Sequence, residues 1–427
     1  MGTADSLVEH LFRHQAGRLV ARLTRVLGPA YVALAEEAVQ DALVRALQTW
    51  PYDGVPDNPA GWLYTVAHHI SIDAVRRDRT FGAKTDAIVA DLTRSLSAAA
   101  GPPADPDLDA ALRDDELRLI FMCCHPALSR DASIALSLKM AGGFSVREIA
   151  RAFLADETAI AQRLVRAKRQ IRDAQLTLDL PAERELAARV DAVLDVLYFM
   201  FNEGYASASG EDLIRDDLCA EALRLGRLVA LSPLAAPRVH ALVALMALQA
   251  ARLPARVDAA GDLVRLEDQD RRRWDERLIA MGFDHFDRSM AGDEVSEYHV
   301  QAAIAATYAR ALDPTSVDWP VILSLYDQLL AINPSPVVAL NRAVVVGKVK
   351  GAEAALAAIA PLERDRTLRS YHHLLAVRGQ LLLEVARPGE AAEAFAAALA
   401  CPCSEPERRF LTARLRLAEG LAAESLR

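Results

Sequence analysis

Aromatic side chains are scarce in this sequence. They make up 6% of 427 residues, although hydrophobic residues reach 52%. The apolar content is therefore mostly alanine and leucine, which enter helices at little cost and favour helix over sheet. Cysteine is scarce too. The five residues Cys123, Cys124, Cys219, Cys401 and Cys403 are odd in number and irregularly spaced. That argues against a disulfide framework and for a reducing compartment. No run has the roughly 18 uncharged apolar residues of a membrane span. The most apolar stretch, VDAVLDVLYFMF at Val190–Phe201, is too short and contains Asp191 and Asp195. The opening residues MGTADSLVEHLFRHQAGR have no apolar signal core. A soluble cytoplasmic protein is the expectation. A global excess of positive charge is also missing: the net charge is −9, so any nucleic-acid surface must be local.

Catalytic signatures are equally thin. There is no P-loop, no glycine-rich dinucleotide fingerprint and no spaced metal motif. Cys123, Cys124 and His125 sit too close together for a zinc site, and an apolar helix start around them favours core packing. Cys401 and Cys403 stand alone. Asn202, Glu203 and Tyr205 fit a pocket or a loop cap equally well. No catalytic residue, cofactor or metal is expected, and the chain is not read as an enzyme.

What is present is helical periodicity, interrupted by recognisable joints. A first block spans 6–80. From Asp86 to Glu116 there are eight acidic and two basic residues around SAAAGPPADPD, a composition that suits a solvated tether. The expected boundaries are a flexible acidic linker at 81–113, a second helical block at 114–176 and a larger helical part at 185–427. Breaks are expected near Gly204–Gly210, Ser232–Pro237, Met281–Gly292, Pro314, Pro334–Pro336 and Pro402–Pro406. No strand alternation appears, so the fold class is all-α. In RGQLLLEVARPGEAAEAFAAALA, Gly379, Leu382, Ala391, Phe395 and Ala398 have tetratricopeptide-like spacing; an Ala-rich bundle is the alternative.

The stretch FSVREIARAFLADETAIAQRLVRAKRQIR (Phe144–Arg172) reads as two helices and a tight bend. Ser145 and Glu148 form a capping-box pair, and Asp156 is placed to cap the second helix. There Ile160, Leu164 and Ile171 share one stripe, while Thr158, Gln162, Arg166 and Arg169 share another. Five bases stand against one acid between Glu157 and Arg172. Such a helix suits a DNA major groove, or is a basic surface hairpin. Upstream, DNPAGWLYTVAHHISIDAVRRDR (Asp57–Arg79) places Trp62 and Tyr64 before a basic helix end. Aromatics beside cations suit unstacked single-stranded bases, and ordinary core packing is the other reading.

Together with LAEEAVQDALVRALQTW (Leu34–Trp50), these segments resemble the bacterial extracytoplasmic-function sigma factors over about 6–174. The resemblance implies that Glu36, Glu37, Gln40 and Asp41 grip core RNA polymerase. It implies that Trp62, His68, His69, Ser71, Arg76, Arg77 and Arg79 meet the melted −10 element, with a loop around His69 receiving a flipped base. Many members carry asparagine at the His69 position. Thr158, Gln162, Arg163, Arg166, Lys168 and Arg169 are implied to read or hold the double-stranded −35 element. The acidic linker is implied to thread the polymerase cleft. The long C-terminal part resembles the helical, tetratricopeptide-like extension of one subgroup, through YFMFNEGY, RLEDQDRRRWD, QAAIAA and PSPVVALNRAV. It implies a regulator that packs on the sigma core or on polymerase. The competing expectation is a helix-turn-helix regulator with a helical sensor that does not bind core polymerase. Leu34–Arg79 discriminates between them, because only a sigma factor uses such a block.

Overall fold

The computed structural model describes residues 2–77, 106–153, 155–180, 183–205, 215–365, 368 and 371–425. The chain divides into two compact units, Met1–Phe199 and Met200–Arg427. Among the described residues the regular elements are all helical, and an isolated bridge pairs Val257 with Leu263. The all-α expectation holds.

In the first unit, α1 (Gly2–Leu27), α2 (Val32–Asp53) and α3 (Pro59–Arg77) pack on one another. Helix α2 turns Ala35, Val39, Ala42, Leu43, Ala46 and Trp50 inward, a stripe at helical spacing. Helix α4 (Pro106–Cys123) lies along α1. It starts at Pro106, ahead of the expected boundary at 114. Three of the eight acids assigned to the tether prove to be structural. Asp115 and Glu116 are fully buried. Asp115 accepts from Arg22 at 3.1 Å and Arg25 at 2.6 Å, and Glu116 pairs with Arg18 at 3.4 Å. Asp114 lies 3.6 Å from Arg25. Buried carboxylates need such partners, and composition alone could not reveal that α1 supplies them. Cys123 and Cys124 are buried in this core, as their apolar surroundings implied. Burial raises both thiols, Cys124 to about 12. Helices α5 (Arg130–Met140), α6 (Val146–Ala152) and α7 (Glu157–Asp173) follow. Helix α8 (Glu183–Tyr205) is tied to α4 by Arg189, which donates to the Phe121 carbonyl at 2.6 Å.

The second unit is a succession of neighbouring helices. They are α9 (Asp216–Ala230), α10 (Pro237–Ala250), α11 (Glu276–Ser289), α12 (Glu297–Arg310), α13 (Trp319–Ile332) and α14 (Pro336–Lys350). Next come α15 (Ala352–Ile359), α16 (His372–Glu384), α17 (Pro388–Leu399) and α18 (Glu405–Ser425). Helix α10 is buried on nearly every face and packs on α9, α11 and α12. From α12 onward, overlapping apolar clusters link each helix to the next. The break expected at Met281–Gly292 begins later, after Ser289. Gly282 does not interrupt α11: a Cβ there would lie 2.5 Å from Leu248 Cγ, so the glycine admits α10. Gly379 plays the same part between α16 and α17, where a Cβ would stand 2.9 Å from the Phe395 ring.

A histidine pair, with His285 buried and His240 half-buried, gives this unit an acid limit. His240 Nδ1 and His285 Nδ1 lie 2.9 Å apart. Burial, and then His240, bring His285 from 6.5 down to about 4. The neutral ring is the folded form, so its contribution is complete above pH 6.5 and is lost as pH falls towards 4. Thermal melts should therefore decline across that window, and His285→Leu should flatten the decline. Parallel profiles for the two proteins would assign the acid sensitivity elsewhere.

Candidate nucleic-acid interface

The segment α5–α6–α7 is a helix-turn-helix built from local capping chemistry. The Ser145 backbone N–H donates to Glu148 Oε2 at 2.8 Å, and the Glu148 N–H donates to Ser145 Oγ at 3.1 Å. This is the reciprocal box that starts α6. Asp156 caps α7 by accepting from the Thr158 N–H at 2.6 Å; the Thr158 side chain, and then that N–H, hold its carboxyl below the ordinary range. Ile160, Leu164, Ala167 and Ile171 are buried. They fix the rotation of α7, and that rotation decides what faces solvent.

Thr158, Gln162, Arg166 and Arg169 are all exposed, at successive helical spacings on one stripe. Arg169 pairs with Asp173 at 3.3 Å, but both are exposed, and such pairs are weak enough to exchange for a phosphate. Val165, 65% exposed beside this stripe, was not singled out by charge or capping signals. Two expected members face elsewhere. Arg163 is half-buried, 3.5 Å from Asp131 and with its guanidinium over the Phe153 ring. Lys168 is turned inward and donates to Glu36.

Glu36 is itself a correction to the expected polymerase-facing set. It is 7% exposed. Its carboxylate lies 3.2 Å from Lys139 Nζ, bonds Lys168, and accepts from Gln40 Nε2 at 3.0 Å. The exposed face of α2 carries Glu37, Gln40 and Asp41, and continues through Val44 and Leu47, 49% and 41% exposed. These positions recur at three and four residues, so they form one surface of two acids and an amide followed by apolar groups. The two apolar members were legible only as exceptions to the burial of their helix.

Helix α3 rearranges the expected −10 set. His69 lies in its interior turns, not in a loop, and is exposed. His68 is fully buried, 5.6 Å from the Tyr64 ring, and Ser71 is buried with its hydroxyl donating to the Ala67 carbonyl. Both belong to the core. Trp62 is half-buried with its ring 5.5 Å from Trp50, edge to face. Arg76 and Arg77 continue the backbone of α3, while Arg79 and residues 81–105 of the linker lie outside the described residues.

Comparison with known proteins finds three families along the chain. Residues 11–81 match the family Sigma-70 region 2, residues 118–171 match Sigma-70, region 4, and residues 189–290 match a family of unknown function, DUF6596. None of these three families is a tetratricopeptide family, so the matches do not support the tetratricopeptide-like reading of the extension. An ECF RNA polymerase sigma factor SigK of Mycobacterium sp. (strain KMS) is 28% identical over 159 residues, covering 36% of this chain and 75% of its own. The SigK of Mycobacterium tuberculosis (strain ATCC 25177 / H37Ra) is 25% identical over 176 residues, 40% of this chain and 87% of its own. An uncharacterized protein, R00370 of Rhizobium meliloti (strain 1021), is 42% identical over 393 residues, 92% of this chain and 90% of its own. No solved structure matches. Among the described residues no helix is long and apolar enough to cross a membrane. The chain belongs to one family with R00370, and its N-terminal part carries the region 2 and region 4 domains of a sigma-70 factor of the extracytoplasmic-function-like kind.

Proposed function

We propose that this protein binds core RNA polymerase, recognises −35 and −10 promoter elements and opens DNA to begin transcription. The carrying observation is α7, a doubly prepared helix with an apolar back and an exposed stripe of Thr158, Gln162, Arg166 and Arg169. In a major groove Gln162 and Arg166 reach base edges, Val165 meets a thymine methyl, and Arg169 neutralises a phosphate. Glu37, Gln40, Asp41, Val44 and Leu47 form the surface for the polymerase. His69, at the exposed edge of α3, meets an unstacked base of the −10 strand, with Arg76, Arg77 and Arg79 on phosphates. The second unit regulates this activity. Its cavity of about 320 Å³, lined by Tyr308, Trp319, Phe395, Phe410, Arg271 and Lys348 among others, offers room for a controlling ligand.

The test is run-off transcription with bacterial core polymerase over a promoter library, using the full chain and a form ending at Tyr205. That truncation retains the Arg189 bond to Phe121. A transcript that depends on the protein is expected, altered in rate by loss of the second unit. Arg166→Ala should weaken binding to the −35 duplex about 10- to 100-fold, the loss of one good base contact. Failure to bind core or to initiate anywhere in the library would leave a helix-turn-helix regulator that works without polymerase contact.

A further inference from the structure

No spaced metal motif is visible in the sequence, yet the second unit gathers one. His372 and His373 open α16, and Glu407 lies in the first turn of α18. His372 Nε2 is 3.2 Å and His373 Nε2 3.6 Å from the same oxygen, Glu407 Oε1. The three donor atoms all lie within 4.8 Å of one another. Bonds of about 2.0–2.2 Å in a tetrahedron place ligand atoms roughly 3.3 Å apart. Two edges of such a figure therefore already have the right length.

An ordinary histidine–carboxylate hydrogen bond accounts for less of this. His372 is 8% exposed, and its Nε2 makes no aligned hydrogen bond despite its nearness to Glu407. The other oxygen of the carboxylate is fully engaged: Glu407 Oε2 accepts from the Ser404 N–H at 2.8 Å and from Ser404 Oγ at 2.7 Å. Ser404 is itself fully buried. Such outer contacts orient a carboxylate ligand and leave one oxygen for the ion.

We propose that His372, His373 and Glu407 form a divalent-cation site, with Zn²⁺ as the fitting ion and water completing its coordination. Two imidazoles and one carboxylate are a zinc donor set, and three protein ligands leave a position open. Arg256, stacked on the Tyr205 ring at 3.9 Å, also acts on Glu407 and His373. Its charge opposes a dication, so the affinity is moderate. The ion clamps the start of α16 to the start of α18 across the hairpin partner α17. This assignment is independent of the promoter-binding reading.

Chelator-treated full-length protein titrated with Zn²⁺ in a calorimeter should bind one equivalent at this site and melt at a higher temperature. His372→Ala and Glu407→Gln should each weaken that binding at least tenfold, in line with the loss of a ligand or its support. Co²⁺ gives a visible spectrum that reports its ligands. It should lack thiolate charge transfer, and Cys401→Ser/Cys403→Ser should bind as the parent does. Absence of binding to the parent protein overturns the proposal, whatever the variants do. So does binding that survives in His372→Ala, or binding that disappears with the two cysteines.

Discussion

Phe395→Ala is expected to destabilise the second unit by about 3–5 kcal/mol, the range for removing a buried phenylalanine ring. Phe395 is 1% exposed and sits in one cluster with Leu382, Ala391, Ala394, Ala398 and Leu411. Four of the seven other buried members of that cluster are alanines, which have no side-chain length with which to fill the hole. Collapse would have to move whole helices, so the cost falls towards the upper end. Gly379→Ala probes the same contact from the opposite side. The added methyl would meet the ring at 2.9 Å, inside any normal separation, and overpacking of this kind costs about 1–3 kcal/mol. Denaturant melts of both variants check this. A loss below about 1 kcal/mol for Phe395→Ala would mean that α16 and α17 do not pack through this ring.

Glu36→Ala is expected to loosen the first unit by about 3 kcal/mol, since removing one partner of a buried ion pair leaves the others uncompensated. The side chains of Lys139 and Lys168 are only 12% and 20% exposed where they meet Glu36. Without the carboxylate, two ammonium groups share a poorly hydrated space. Their flexible stems let them swing towards water, which keeps the loss at the low end of the usual range. Glu36→Gln retains the shape and one acceptor and should lose less. Hydrogen exchange of α2 and α7 amides reads the loosening directly. On the proposed function, the same bridge occupies a lysine of the DNA-facing helix together with an acid of the polymerase-facing helix. Unchanged exchange in Glu36→Ala would show that the three charges do not hold these helices together.

The parts of this molecule that were legible in the sequence are those governed by neighbours along the chain. Ser145 and Glu148 lie three residues apart, and Asp156 two residues before Thr158, so the caps of α6 and α7 follow from local backbone chemistry. The buried stripe of Ile160, Leu164 and Ile171 follows from the helical period. Gly379 and Phe395 declared a helical hairpin because a small residue opposed an aromatic at fixed offset. Even so, charge and aromaticity could not say which way a side chain points. His68 and Ser71 resembled functional polar residues but face the core, and Trp62 rests against Trp50.

The sequence by itself determined the helical class, the order of the blocks and the exposed stripe of α7, because each depends on spacings of a few residues. Only the tertiary structure decided the fate of charges whose partners are far away in the chain. Asp115 meets Arg22 and Arg25, Glu36 meets Lys139 and Lys168, and His372 and His373 meet Glu407. A buried charge is tolerable only beside its partner, and no local pattern records where folding will bring that partner.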